Sequence, residues 1–281
     1  MKYETCFKAE LSAVEETLDR LLPQEKHYPG VLHEAMRYAV LSGGKRFRPV
    51  MVLAACEACG GKAQDALVAA AAVEFVHGYS LVHDDLPALD NDDLRRGKPS
   101  CHKKFGEAMA ILAGDGLLTL AFQALSRVQP ARKARLMAEE LSTSAGTCGM
   151  IGGQVADLTT PAGARELPML DFISIHKTGK LIKASAVCGA LAAGASRDGI
   201  DAMTRYGEFV GLAFQSIDDL VDRDGYARLL KDTEIRQKVR DLVACAKREI
   251  RPFAKRAEKL QRLADFLLSR MPRGKHAEVD R

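Results

Sequence analysis

Five aspartates crowd into ten residues of this chain: Asp84, Asp85, Asp90, Asp92 and Asp93. They follow an apolar run, Leu67 to Val76, and are followed at once by Arg95, Arg96 and Lys98. Carboxylates this close repel one another unless solvent or a cation intervenes. Their oxygens are the preferred ligands of hard cations such as Mg2+, and forked guanidinium donors suit phosphate. One segment therefore brings together acid for a metal, base for phosphate and apolar surface for a hydrocarbon tail. Taken alone, it also fits a solvated, charged loop.

A second stretch shifts that balance. Phe214 to Asp222 reads FQSIDDLVD, and Asp218 and Asp222 are four residues apart. On a helix they share a face, separated by roughly 6 Å of rise. The surroundings are apolar: Phe209, Val210, Leu212, Phe214, Ile217, Leu220 and Val221. A buried face with paired carboxylates needs cations. Two such clusters, each ending an apolar helical run, point to two halves of one polynuclear Mg2+ site that clamps a diphosphate.

The rest of the chain sets bounds. Its 281 residues contain no Pro/Gly/Ser-rich linker, so one domain over residues 1–281 is expected, with 272–281 a flexible tail. A net charge of +4 is too small and too dispersed for a nucleic-acid partner. The seven cysteines are scattered, and Cys56 and Cys59 lack a second pair to complete a zinc site. Free thiols suit a reducing cytosol. The start, MKYETCFKAEL, has no apolar core of a leader and is too acidic for a transit peptide. No apolar run is expected to reach membrane-spanning length. These readings place the protein in the cytoplasm.

Helical periodicity recurs along the chain, with little β-branched alternation, which predicts an all-α fold. Helices are expected over residues 4–22, Val31 to Leu41, Pro49 to Ala58, Ala63 to Asp85, 107–127, 131–156, 169–193, 199–224, 227–250 and Phe253 to Met271. His77 lies seven residues before Asp84, on nearly the same helix face. By spacing alone it stands between a core histidine and a ligand, whereas His83 and His102 read as structural. Lys177-Thr178-Gly179-Lys180 interrupts an apolar run, which favours a kinked helix with exposed backbone groups. Gln154 and Asp157 share a face and read as supports for ligating groups.

Five motifs in this order give the chain a family likeness. They are GGKRFRP at Gly43 to Pro49, DDLPALDNDDLRRG at Asp84 to Gly97, GGQVAD at Gly152 to Asp157, HKTGKL at His176 to Leu181, and FQSIDDLVD. From about Tyr38 to Asp222 the chain resembles the trans-isoprenyl diphosphate synthases, most of all the bacterial farnesyl and geranylgeranyl diphosphate synthases. The resemblance implies a large antiparallel helical bundle of the isoprenoid synthase type, with a central apolar cavity, working as a homodimer. It implies that an allylic diphosphate (dimethylallyl or geranyl) ionises and the double bond of isopentenyl diphosphate attacks the cation. A proton is then lost, the released diphosphate being the base.

By motif match, Asp84, Asp85, Asp90, Asp218, Asp219 and Asp222 would hold Mg2+, about three ions per site, with Mn2+ as an alternative. Asp84, Asp85, Asp90, Lys177 and Asp218 would carry the chemistry. Arg95, Lys177, Thr178 and Gln215 would line the allylic site, with Lys180 a further cation. Lys45, Arg48, His77 and Arg96, with the Gly44 backbone, would hold isopentenyl diphosphate. Tyr79 and Ser80 would set chain length. In this family a bulky aromatic five residues before the first aspartate, with the longer DDLPALD motif, goes with a farnesyl product, and a small residue there with a C20 one.

One departure stands out. Family members follow the second Asp-rich motif with a glycine-rich loop carrying a phosphate-binding lysine. Here Asp222-Arg223-Asp224-Gly225-Tyr226 passes almost directly into the next helix. Either the deletion is real, which would weaken closure over the diphosphates, or a mobile loop is absent from this sequence. Intact aspartates in both clusters favour an active farnesyl (or geranylgeranyl) diphosphate synthase, loss of the loop lysine favours a non-catalytic partner subunit of such a synthase, and a terpene cyclase on a similar fold is a third reading. Lys45, Arg48 and Arg96 argue against the last, which has no second diphosphate to hold.

Overall fold

Long runs of alanine, leucine and valine, broken by Gly-Gly and Pro, dictate helices joined by short turns. The computed structural model describes residues 2–272, and the expected tail lies outside them apart from Pro272. Among the described residues the chain forms fourteen α-helices and one two-stranded hairpin, so the all-α expectation holds.

The chain divides into two units, Met1–Leu141 with Cys188–Ala195, and Ser142–Val187 with Ser196–Arg281. The first contains α1 (Tyr3–Cys6), α2 (Lys8–Leu21), α3 (Gly30–Leu41), α4 (Phe47–Ala58), α5 (Ala63–Asp84), α6 (Cys101–Phe105) and α7 (Glu107–Ser126). Helix α8 (Ala131–Ala145) follows. Helices α4 and α5 are apolar almost all round, and helices of that kind belong in a core. Val50, Met51, Val52, Leu53, Phe75 and Val76 are fully buried there. The alanines of α5 let α4 and α7 pack closely on it.

The second unit contains α9 (Met150–Thr159), α10 (Leu167–Ile173), a π-helical turn (Ser174–Gly179), α11 (Lys180–Ala193, which ends in the first unit), α12 (Arg197–Asp222), α13 (Asp232–Glu249) and α14 (Glu258–Arg270). Ser196 caps α12 by accepting from the Gly199 N–H at 3.3 Å. Met203, Tyr206, Val210, Ala213, Ile217 and Leu220 form its buried stripe, against Ile235, Val239 and Val243 of α13 and Leu260, Leu263 and Leu267 of α14. Each such leucine or valine stabilises the unit by about 1.5–3 kcal/mol.

Several expectations need correction. The helix expected over 131–156 breaks between Ala145 and Met150, because Gly146 and Gly149 let the chain turn there. A β-carbon on Gly149 would lie 2.1 Å from the Ser144 carbonyl oxygen. The helix expected at 227 starts at Asp232, where the Glu234 carboxylate accepts from the Lys231 N–H at 2.8 Å. That expected from Phe253 begins as a 3-10 turn, Arg251–Ala257, and Ala254 has φ 52°. Helices α5 and α7 are long and apolar enough, by length and composition, to cross a membrane, contrary to the expectation that no run is. In α5, 61% of the apolar window is buried within the fold.

The Arg-rich stretch is a hairpin. Leu94–Arg95 pairs antiparallel with Lys98–Pro99, and both turn residues, Arg96 and Gly97, have positive φ, as a tight two-residue hairpin requires.

Candidate active site

In the first unit, α5 delivers Asp84 at its C-terminal end and Asp85 just beyond. The chain then turns back, and the Asp90 N–H donates to the Asp84 carbonyl at 2.9 Å. Asp84 is half-buried and Asp90 exposed. Asp85 differs from both: it is 2% exposed and takes a bidentate fork from Arg95, whose Nε donates to Oδ1 at 2.9 Å. Burial raises its pKa, and the Arg95 bond and charge oppose that rise. Arg95 also donates to Asp92 at 3.1 Å. The residue expected to grip allylic phosphate thus spends its fork on the aspartates.

Its neighbour points elsewhere. Arg96 donates to the Gly43 carbonyl and lies flat against Gly44, where a β-carbon would come within 2.7 Å of its Cζ. Gly43 and Gly44 have φ of 100° and 130°, which L side chains rarely adopt. Lys45 is exposed. Ser42, Gly44, Lys45 and Arg96, with Tyr3, Glu4 and Leu11, line a cavity of about 520 Å³. At the second residue of α4, Arg48 Nη1 lies 3.4 Å from His77 Nε2. A guanidinium has only donors, so this Nε2 accepts and the ring proton sits on Nδ1. Burial, and then the charge of Arg48, hold the His77 pKa well below the usual histidine value. Gly44, Lys45 and Arg96 thus line one cavity, and Arg48 pairs with His77.

Tyr79 is 6% exposed, and its ring meets His83 edge-on, the centroids 5.8 Å apart. Its hydroxyl has no partner, and burial, then Asp84, push its pKa up to about 12. Ser80 turns away, donating to the His77 carbonyl at 2.9 Å. His83 lies 3.1 Å from the Ile111 carbonyl oxygen. Ser100 Oγ lies 3.0 Å from Nδ1 of the buried His102.

In the second unit, the expected kink is a π-helical turn over Ser174–Gly179, a distortion frequent at functional sites. Gly153 permits it: a β-carbon there would lie 2.1 Å from the Lys177 nitrogen. Thr178 Oγ1 donates to Gln215 Oε1 at 2.7 Å, and Gln215 Nε2 donates to Asp219 Oδ1 at 2.7 Å. Asp219 Oδ2 accepts the Tyr226 N–H at 2.9 Å. Both oxygens of this buried carboxylate are therefore occupied, and burial raises its pKa against those bonds. Asp157 holds Lys177 at 2.6 Å and Arg165 at 2.8 Å, which agrees with its reading as a support. Asp157, Lys177, Thr178, Gln215, Asp219 and Asp222 line one cavity of about 210 Å³.

The polyprenyl synthetase profile matches residues 29–238. The chain belongs to the polyprenyl synthetase family. It is 47% identical over 224 residues to the heterodimeric geranylgeranyl pyrophosphate synthase large subunit 1, chloroplastic, of Arabidopsis thaliana, covering 76% of this chain and 59% of that one. It is 44% identical over 230 residues to the farnesyl diphosphate synthase of Geobacillus stearothermophilus, covering 80% and 77%. Among solved structures it is similar to the FPP/GFPP synthase of Zymomonas mobilis, with a TM-score of 0.87 at 34% identity, covering 95% of this chain and 98% of that one. A geranyltransferase from Legionella pneumophila gives 0.89 at 35%, covering 95% and 97%. The chain has the all-α fold of these prenyltransferases.

Within this polyprenyl synthetase, the expected metal ligands sort into two kinds. Asp85 and Asp219 are buried and committed to internal donors, whereas Asp90 and Asp222 are exposed and Asp84 and Asp218 half-buried. Among the described residues no three His, Cys, Asp or Glu side chains converge on one cation position. Mg2+ takes hard oxygen donors and keeps several of its waters. Asp84 and Asp90 in one unit, and Asp218 and Asp222 in the other, have the right hard oxygen donors.

The short connection after Asp222 is a built turn. Arg223 takes a left-handed conformation, the Asp224 N–H donates to the Asp219 carbonyl at 3.1 Å, and Gly225–Arg228 forms a 3-10 turn. The buried Tyr226 donates its hydroxyl to Asp171, which Lys238 holds at 2.9 Å. Sequence reading missed three residues here. Arg270 donates to Asp218 Oδ1 at 2.7 Å from 52 positions away, and no local pattern announces it. Arg46 and Glu74 form a buried pair at 2.7 Å; a lone glutamate inside the apolar run Leu67 to Val76 was the available signal.

Proposed function

We propose that this polyprenyl synthetase is a short-chain prenyl diphosphate synthase that condenses isopentenyl diphosphate with dimethylallyl or geranyl diphosphate and releases mainly farnesyl diphosphate. The observation that carries the reading is the pair of cations Lys45 and Arg96 at the Gly43-Gly44 backbone, with Arg48 on His77 nearby in sequence. It lies in the same unit as the half-buried Asp84, the exposed Asp90 and the buried Tyr79. A diphosphate site apart from the aspartates serves a second substrate.

The proposed work of each residue follows from its chemistry. Lys45, Arg48 and Arg96 bind the isopentenyl diphosphate. His77, neutral and accepting from Arg48, orients that guanidinium. Lys177, held by Asp157, and Thr178 bind the allylic diphosphate, with Arg95 as a further cation. The allylic C–O bond breaks and its electron pair leaves with the diphosphate. The double bond of isopentenyl diphosphate attacks the carbon released, and a proton leaves to the departed diphosphate. Asp84 and Asp90, and separately Asp218 and Asp222, would hold Mg2+, which would supply charge neutralisation at the diphosphate oxygens. Asp85 holds Arg95, and Asp219 holds Gln215 and the Tyr226 backbone. Apolar side chains around Tyr79 keep water from the cation.

Relatives named for both products, among them the geranylgeranyl diphosphate synthase of Cyanophora paradoxa at 39% identity over 286 residues, support either chain length. Tyr79 below the first aspartates favours the shorter. The intact aspartates of both clusters support an active synthase, whereas the short turn after Asp222, with no loop lysine, supports the alternative of a non-catalytic partner subunit. Seven free cysteines support a reducing compartment such as the cytoplasm. The test is incubation of purified protein with Mg2+, isopentenyl diphosphate and labelled dimethylallyl diphosphate, followed by chromatography of the dephosphorylated alcohols. A C15 alcohol supports the proposal; a C20 alcohol assigns the geranylgeranyl product, and no elongation refutes the synthase reading.

A further inference from the structure

Arg46 sits in the middle of the Gly43 to Pro49 stretch yet cannot be one of its phosphate ligands. It is 3% exposed. Its Nε and Nη2 fork onto Glu15 of α2 at 2.7 and 3.3 Å. Nη1 donates to Glu74 of α5 at 2.7 Å, and Nη2 also donates to the Val40 carbonyl of α3 at 2.7 Å. Four of the five guanidinium N–H groups are thus used, and two carboxylates neutralise the charge. Burial works against that charge, but Glu74 and Glu15 outweigh it and raise the Arg46 pKa.

The backbone at Arg46 is itself unusual. Its φ and ψ are 50° and 36°, left-handed, at the position that opens α4. A non-glycine residue held there costs about 1–3 kcal/mol and persists only where its surroundings enforce it. Here the side chain does the enforcing, tying the loop to three helices at one point. One of those ties lands on Glu74, three residues before His77 and on the same face of α5. On its other side the loop is held by Arg96 through the Gly43 carbonyl.

We propose that Arg46, with Glu15 and Glu74, is a positioning residue: it fixes the Gly43–Lys45 backbone in register with His77, so that Gly44 and Lys45 present their groups to the cavity they line. The inference rests on the reading of that cavity as the isopentenyl diphosphate site. It makes loop geometry, rather than an added charge, the contribution of this arginine.

The test separates the two substrates. Removing Arg46 alone would leave Glu74 as an uncompensated buried charge. The first variant is therefore Arg46→Met with Glu74→Leu, which removes the pair together. The second is Glu15→Gln, at a partly exposed partner whose change leaves the inner pair intact. For the double variant the KM for isopentenyl diphosphate, and its Kd by calorimetry, should rise between about 10- and 100-fold, the scale of a lost orienting contact. The allylic KM and the kcat at saturation should stay within about twofold. Glu15→Gln should move the same two quantities in the same direction, by less. Unchanged isopentenyl diphosphate binding in the folded double variant, or equal losses for both substrates, overturns the proposal. If the double variant does not fold by circular dichroism, Glu15→Gln decides alone. Wild-type protein that binds isopentenyl diphosphate without elongating it contradicts the synthase reading, and the calorimetric comparison still decides this one. Wild-type protein that does not bind it overturns both.

Discussion

Replacing Tyr79 by phenylalanine and by alanine should separate the ring of this residue from its hydroxyl. The hydroxyl is buried and has no partner, so Tyr79→Phe removes an unmet desolvation cost. Such a group costs about 1–3 kcal/mol, and a gain near the low end is expected. About 1 kcal/mol corresponds to a rise of roughly 2–4 °C in Tm for a large domain. The ring keeps its edge contact with His83, so the product of the phenylalanine variant should match the wild type. Tyr79→Ala removes the ring as well. At 6% exposure it should bear the full cost of an aromatic truncation, about 3–5 kcal/mol. It also opens space roughly 7.5 Å below Asp84 along α5, five residues at about 1.5 Å each. The product should then lengthen by at least one five-carbon unit. The assays are thermal denaturation by circular dichroism and chromatography of dephosphorylated products. If phenylalanine destabilises, the hydroxyl has a partner after all. If alanine leaves the product unchanged, Tyr79 is not the floor.

Three further predictions follow from other parts of the fold. The folded protein resists protonating His77, whereas the unfolded chain binds that proton near pH 6.5; the contribution is complete above about pH 6.5 and is lost as pH falls below it, by up to about 1.4 kcal/mol per pH unit. Denaturant midpoints at pH 7 and pH 5 should therefore differ more in wild type than in His77→Gln, and equal differences would contradict this. Gly225 has φ 50° and a β-carbon there would lie 2.1 Å from Asp219 Oδ2, so Gly225→Ala should lose about 1–3 kcal/mol of stability and raise the Mg2+ concentration needed for half-maximal turnover; an unchanged Tm and Mg2+ requirement would contradict it. Ile111 and Leu112 of α7 are exposed, and we propose that they belong to a homodimer interface, so sedimentation equilibrium at micromolar concentration should give twice the 30.6 kDa chain mass, while a monomer would refute it.

The parts legible in the sequence were those written locally. Helical periodicity located most helices, though it ran α8 and α9 together, and Lys177-Thr178-Gly179 inside an apolar run announced the distortion now seen as a π-helical turn. The Gly43-Gly44 pair announced a loop with positive φ. What sequence could not supply were partners brought together by folding. Arg95 and Arg96 are adjacent and look alike, yet a hairpin turn sends one to Asp85 and the other to Gly43. Asp218 and Asp219 are adjacent too, yet helical rotation gives one to Arg270 and buries the other against Gln215 and Tyr226. The short connection after Asp222 was legible, but not that Tyr226 within it is anchored by Asp171, 55 positions away.

The central claim is that this chain elongates an allylic diphosphate and needs both carboxylate clusters to do so. Turnover of labelled dimethylallyl diphosphate with isopentenyl diphosphate should be measured for wild type, Asp84→Ala and Asp218→Ala, each with Mg2+ and with excess chelator. The account predicts turnover by wild type only with the metal, and a loss of orders of magnitude in each variant while its circular dichroism spectrum is retained. Near-normal turnover in either variant, or undiminished turnover under chelation, would contradict it.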